Sequence, residues 1–175
     1  NSIIGTNGFA IQRIGGNTPN AGCNWYGSAD VNTVVPKFSV VINYSPWLIN
    51  GTDNDPVAAG FQPVPGTCTG RQNKFYVNDN SLTGDVFTTA IGNDGNSGIA
   101  SAPLATIGTA YSRAQAGDTI LVDAGTHVSG GTIAKAITIL GTNYLISPND
   151  GINPLLPNAG RNAESIIINF THAID

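Results

Sequence analysis

Two short apolar runs in the stretch from Gly117 to Ile146, GDTILVDAGTHVSGGTIAKAITILGTNYLI, constrain what this chain can fold into more than any other feature. Ile120-Leu121-Val122 and Ile137-Thr138-Ile139-Leu140 are rich in β-branched residues, and each is closed by a glycine within three positions. That is the pattern of short buried strands, too brief and too punctuated for helices. The spacing from Ile120 to Ile139 matches about one turn of a coiled parallel β-solenoid, a repeat of roughly twenty residues. The two runs therefore read as stacked rungs.

Composition supports an all-β reading. Only 10% of the 175 residues are charged, well below the usual quarter, while glycine numbers 22. Glu164 is the lone glutamate among 11 acidic residues, and Asp favours turns where Glu favours helices. A net charge of −4 with seven scattered Lys and Arg offers no basic stripe, which argues against a nucleic-acid partner. No apolar run approaches eighteen residues and no basic-then-apolar leader is present, so no segment reads as membrane-inserting or export-directing. The chain starts at Asn1, contains no Met and ends at Asp175 soon after an apolar run, as a mature piece or a fragment of something longer would.

Cys23 and Cys68 sit in loop-like surroundings, outside any C-x-x-C pair and with no His nearby, which argues against zinc or thioredoxin-like chemistry. A structural disulfide between them, and hence an oxidising compartment, is the expectation. A redox or nucleophilic thiol is the alternative.

Taken in order, residues 1–16 carry two short apolar strands with Asn and Gly at their corners. Trp25, Tyr26, Phe38 and Trp47 are large enough to cover the open end of an apolar coil, and Pro46 cannot continue a paired strand. Residues 52–74 hold Pro56, Pro63 and Pro65 without apolar periodicity and read as an ordered linker. Phe75-Tyr76-Val77 follows as a strand. Ala102-Pro103-Leu104 then opens a helix whose Leu104, Ile107, Ala110, Tyr111 and Ala114 share one face, with Gly117 as its stop. Ser147 to Glu164 is a turn-rich excursion, and Ser165 to Phe170 is a third strong strand. Asn-x-Ser/Thr sequons begin at Asn43, Asn50 and Asn169, as arises by chance in an Asn- and Thr-rich chain.

The run from Phe75 to Gly141 (FYVNDNS, GNDGNSGIASAPLATIGTAYSRAQAGDTILVDAGTHV, KAITILG) resembles the N-terminal entry of a right-handed parallel β-helix of the pectin-lyase-like superfamily. Its order is a first strand, a Gly/Asn/Asp loop, a Pro-started helix, a Gly-Asp turn, a strand ending Ala-Gly-Thr, and a strand leading to Gly. Asn24-Trp25-Tyr26-Gly27 followed by Tyr44-Ser45-Pro46-Trp47-Leu48 is similar to the closing rungs of secreted β-helix proteins. The resemblance implies an all-β fold of right-handed parallel β-helix segments, with one short N-terminal capping helix before the second segment. Residues 1–51 would be the C-terminal rungs and closure of one β-helix, 52–74 the linker, and 75–175 the cap and first rungs of another. A superfamily resemblance does not by itself imply catalysis.

Glycosidases need two carboxylates flanking the bond, but His127 and His172 stand isolated, Arg113 lies on the expected helix and Arg161 in a turn-like segment. No catalytic residue of the superfamily carries over to any position here. Asp123, directly after a strand and near His127, is the best single candidate; its ordinary role is a turn residue capping its own backbone. Asp79, Asp85 and Asp94, and separately Asp53 with Asp55, offer oxygens for calcium, though the spacing is not that of an EF-hand and turn formation is their ordinary role. No other cofactor is expected. Trp25, Tyr26, Tyr44 and Trp47 can be read as a sugar-stacking platform or, more in keeping with a terminus, as packing.

The Asn/Thr/Gly-rich style, with its NDNS and GTDNDP phrases, is similar to giant surface proteins of Bacteroidetes that leave by the type IX route. That resemblance implies a non-catalytic structural segment of a secreted or cell-surface repeat protein: an adhesin, a filament or a secretion cargo. Its partners would be neighbouring repeats or subunits, with extracellular glycans or a secretion channel as further partners. Part of a polysaccharide lyase or another carbohydrate-active enzyme, or a glycan-binding module, is the alternative.

Overall fold

Glycine, proline and asparagine cut the apolar runs so often that no strand among the described residues exceeds four residues. The computed structural model describes residues 1–5, 9–11, 16–38, 42–129, 132–144, 162–169 and 171–172. The chain divides into two units, Asn1–Gln72 and Asn73–Asp175.

In the first unit, Asp30 accepts the Asn32 N–H and caps a single helical turn, α1 (Val31–Val34), which runs into a 3-10 turn over Val35–Lys37. Strand β1 (Trp47–Leu48) pairs antiparallel with β2 (Cys68–Gly70). Trp47 lies opposite Gly70, and a Cβ there would fall on the Trp47 indole, so only glycine lets the ribbon close over that ring. Tyr26, Val34 and Trp47 form the core, joined by Ile3, Ala10, Ile11, Val31, Phe38 and Tyr44. The Cys23 and Cys68 sulfurs are joined in a disulfide with 5.2 Å between the Cα atoms. Residues 52–72 thus belong to the first unit and supply β2 and one half of that bond.

The second unit runs β3 (Lys74–Val77), α2 (Ile107–Arg113), β4 (Thr119–Val122), β5 (Gly125–Val128), β6 (Thr132–Ile133), β7 (Thr138–Leu140), β8 (Ser165–Ile168) and β9 (Thr171–His172). Parallel pairing sets Phe75 against Ile120 and Ile120 against Ile139 in the sheet β3-β4-β7. Leu104, Ile107, Ala110 and Ala114 pack with Phe75, Val77, Ile120 and Val122 in one buried cluster. β5 pairs with β8, and β6 with β9, also in parallel.

The expected right-handed parallel β-helix is overturned. The described strands form four separate sheets of two or three strands, one antiparallel and three parallel, with no closed coil. Among the described residues of the first unit, the remaining strand-like pairing consists of single bridges such as Ser2 with Trp25, Ile11 with Phe38 and Asn20 with Asn43. Its aromatics pack on one another there. A mixed set of small sheets replaces continuous rungs because the interrupted runs supply only two to four pairing residues each.

The helix is also shorter than the Pro103 signal suggests. Leu104 donates to the Tyr76 carbonyl and its own carbonyl accepts from Asn78, at 2.8 and 2.9 Å, so 103–105 is held extended beside β3. Thr106 then caps α2 through the Thr109 N–H. The helix ends at Arg113, with Ala114 already extended, before Gly117 is reached. Lys135 explains the early end: its ammonium donates to the Tyr111 and Ala114 carbonyls at 2.8 and 2.9 Å, satisfying the last turn. The excursion from Ser147, including Arg161, and the Phe170 end of the last strand lie outside the described residues, apart from 162–164.

Both tryptophans, Trp25 and Trp47, belong to the first unit, so indole fluorescence reports on it alone. The disulfide closes a loop of 45 residues, for which the chain-entropy relation gives about 4 kcal/mol. The double variant Cys23→Ala/Cys68→Ala is expected to lose roughly that much in urea denaturation followed by Trp fluorescence. A loss below about 1 kcal/mol would show that the disulfide does not hold this unit together.

Candidate functional site

The long segment between β3 and α2, residues 78–106, carries Asp79, Asp85 and Asp94, three of the six aspartates singled out in the sequence, and three carboxylates fold it. Asp123 stands directly after β4 with no exposed surface. One of its oxygens accepts the Val86 N–H at 2.7 Å and the Ala124 N–H at 3.1 Å. The other accepts the Phe87 and Thr88 N–H groups, at 3.0 and 2.7 Å, and the Thr88 hydroxyl at 2.8 Å. The bond to Ala124 is the local turn contact expected of it. The other four reach 35 to 37 residues back along the chain. Charge-assisted bonds of this kind are stronger than neutral ones, and together they replace the water that a buried carboxylate would otherwise need.

Asp94 organises the other end of the segment. Its Oδ1 accepts the Ala105 and Thr106 N–H groups at 3.0 Å each, and its Oδ2 accepts the Thr106 hydroxyl at 2.9 Å. Burial alone would raise this carboxyl, but the hydroxyl and N–H bonds from Thr106, with those from Thr109 and Ala105, outweigh it and hold Asp94 below the ordinary aspartate value. Arg113 donates from α2 to the Asp94 and Asn96 carbonyls at 2.7 and 2.6 Å, tying the helix to the same loop.

Asp85 lies between these anchors. Its Oδ2 accepts from Asn78 Nδ2 at 2.6 Å and stands 3.4 Å from the Thr88 hydroxyl, while its Oδ1 is sealed from solvent without a hydrogen-bond partner. Burial pushes the carboxyl up. The Asn78 bond pulls it back, the Asp123 charge raises it, the Thr88 bond lowers it and the Asp79 charge raises it again, leaving it above the ordinary value. Asn78 is fully buried and was not legible as a site residue. Its Nδ2 is ringed by the Ser81 and Ala90 carbonyls and Asp85, at 3.1, 3.0 and 2.6 Å, so the amide sits where oxygens converge.

The remaining candidates are dispersed. Asp79 accepts the Ser81 N–H, and a Cβ at Gly125, whose φ is +119°, would strike the Asp79 carboxylate. His127 is buried, with Nε2 3.0 Å from the main-chain oxygen of Asp123, not its carboxylate, and with Nδ1 unpartnered. Asp53 accepts the Asp55 and Gln62 N–H groups, and Asp55 those of Val57 and Ala58. Among the described residues no three His, Cys, Asp or Glu side chains come together as a metal would require. The calcium expectation therefore finds no fitting cluster there. His172 is placed only by its backbone in β9, opposite Ile133.

The aromatic residues turn toward one another. Tyr26 meets Phe38 edge to face at 5.1 Å, Phe38 stacks on Tyr44 at 4.3 Å, and Tyr44 lies 6.0 Å from Trp47. Tyr26 and Trp47 are buried, with the Tyr26 hydroxyl donating to the Ala21 carbonyl and the Trp47 indole N–H to the Ala29 carbonyl. These rings are packing, with no open stacking face at Tyr26 or Trp47.

No protein-family model, curated protein or solved structure matches this chain. No helix of the described residues is long and apolar enough to cross a membrane.

Asp123→Ala strands four N–H groups and a hydroxyl, each costing about 1–3 kcal/mol when buried without a partner. Amide exchange at Val86, Phe87 and Thr88 is expected to accelerate by at least a hundredfold, while a change under tenfold would mean that other contacts hold the segment. Asp94 has the opposite pH signature to Asp85. Its native value is depressed, so the stability it contributes is present above the unfolded value and lost as pH falls through the native one. Asp94→Asn is expected to cost about 1–2 kcal/mol at pH 7 and progressively less as pH falls below the ordinary aspartate value, read from protection of the α2 amides.

Proposed function

We propose that this chain is a non-catalytic structural segment of a secreted or cell-surface protein of the adhesin, filament or secretion-cargo kind. The observation that supports this best is how the acidic side chains are spent. Asp123 and Asp94, with Asp53 and Asp55, have carboxylate oxygens committed to main-chain N–H groups of their own fold. A general acid or nucleophile needs an oxygen presented to a substrate; these oxygens are turned into the loops that they shape.

The Cys23–Cys68 disulfide supports an extracellular setting, because such bonds persist where thiols are not kept reduced. On this reading the partners are neighbouring repeats or subunits of the same protein. The chain then offers a framework held by hydrogen-bonded turns, in keeping with its low charge.

Intact producing cells treated with a membrane-impermeant amine-reactive biotin are expected to yield the labelled chain, from the surface or the medium, in its oxidised form. The same material is expected to release no reducing ends from a panel of plant, algal and bacterial polysaccharides. Labelling only after lysis would sink the location, and sustained release of sugar ends would sink the structural role.

A further inference from the structure

Asp85 and Asp123 approach each other through a single hydroxyl. Thr88 Oγ1 lies 2.8 Å from Asp123 and 3.4 Å from Asp85, and it has one hydrogen to give. Asp123 takes that hydrogen at the shorter distance, and it accepts main-chain N–H groups on both its oxygens. An ionised Asp85 would then turn a lone pair toward the Thr88 oxygen, with its other oxygen sealed and unpartnered. A protonated Asp85 resolves the first conflict, because Oδ2 can accept from Asn78 and donate to Thr88 at once.

We propose that Asp85 keeps its proton in the folded chain, turned toward the Thr88 oxygen whose own hydrogen goes to Asp123, and that loss of this proton as pH rises loosens the segment around residues 79–92. The charged groups acting on Asp85 are Asp123, at the end of β4, and Asp79, just after β3, both carboxylates. His127, on β5, bonds the main-chain oxygen of Asp123. The direction of the Asp85 shift agrees: a carboxyl raised in the folded chain contributes stability below the unfolded value and loses it as pH climbs through the native one.

The latch has a visible consequence. Leu82, Val86 and Ile91, each about half exposed, ride on this segment, so its opening would change how an apolar part of the surface is presented. In a secreted protein the controlling variable would be the acidity of the surroundings.

The test compares wild type with Asp85→Asn in the full chain, by hydrogen exchange at Phe87 and Thr88 from pH 4 to pH 7. The variant removes the titrating proton and retains an oxygen for Asn78. Any constant effect of the substitution cancels in the trend. The ratio of wild-type to variant protection is expected to fall as pH rises across that range, with the ratio at Ile120 and Val122 unchanged. In the wild-type chain itself, the Asp85 carboxyl carbon is expected to titrate with a midpoint above about 3.9, the ordinary aspartate value. A flat ratio, or a midpoint at or below that value, overturns the proposal.

Discussion

The second unit depends on one buried carboxylate. Strands β3 and β4 need only their apolar side chains to pair, since Phe75, Val77, Ile120 and Val122 enter the same cluster. The polar segment between β3 and α2 has no such reason to stay. Its main-chain N–H groups at 86–88 would be left without partners against the sheet, a cost comparable to a lost hydrogen bond apiece. Asp123 removes that cost for all three at once, from a position that β4 fixes rigidly.

That arrangement explains how a chain with so few charged residues tolerates buried acids. Asp123 and Asp94 are neutralised by convergent N–H and hydroxyl dipoles, which demand no long side chain and lose little entropy. Lys135 and Arg113 follow the same economy in reverse, donating to main-chain carbonyls around α2. Cation and anion alike satisfy backbone groups. The fold consequently keeps its irregular segments ordered without extending its strands.

Much of the local structure was legible because it rests on local chemistry. The strands at Phe75-Tyr76-Val77 and Ile120-Leu121-Val122 follow from β-branched and aromatic runs bounded by turns, and Ile107 and Ala110 occupy the buried helix face that their spacing implies. The arrangement of the sheets was not legible. The parallel stacking of Ile120 on Ile139 follows from their spacing, but closure depends on contacts between distant segments, and the same apolar triplets fit a continuous coil or several short sheets equally well. The helix start was misplaced for a related reason: Pro103 is a good first helical residue, but pairing of Leu104 with Tyr76 and Asn78 prevails over that propensity.

The site shows the limit most clearly. Asp123 was singled out for its place after a strand, yet its ordinary role as a local cap accounts for only the Ala124 bond. Nothing in the spacing ties it to Val86, Phe87 and Thr88, because the pairing of β3 with β4 is what brings residues so far apart in sequence together. Asn78 was passed over because a buried amide has no signature of its own among so many turn asparagines. Its burial follows from the extended pairing of the distant Leu104 and from the nearby carboxylate of Asp85. A loop that looks like generic polar linker in sequence thus becomes a specified structure only when a distant strand supplies its acceptors. The residues that matter most in it are those whose partners lie farthest away.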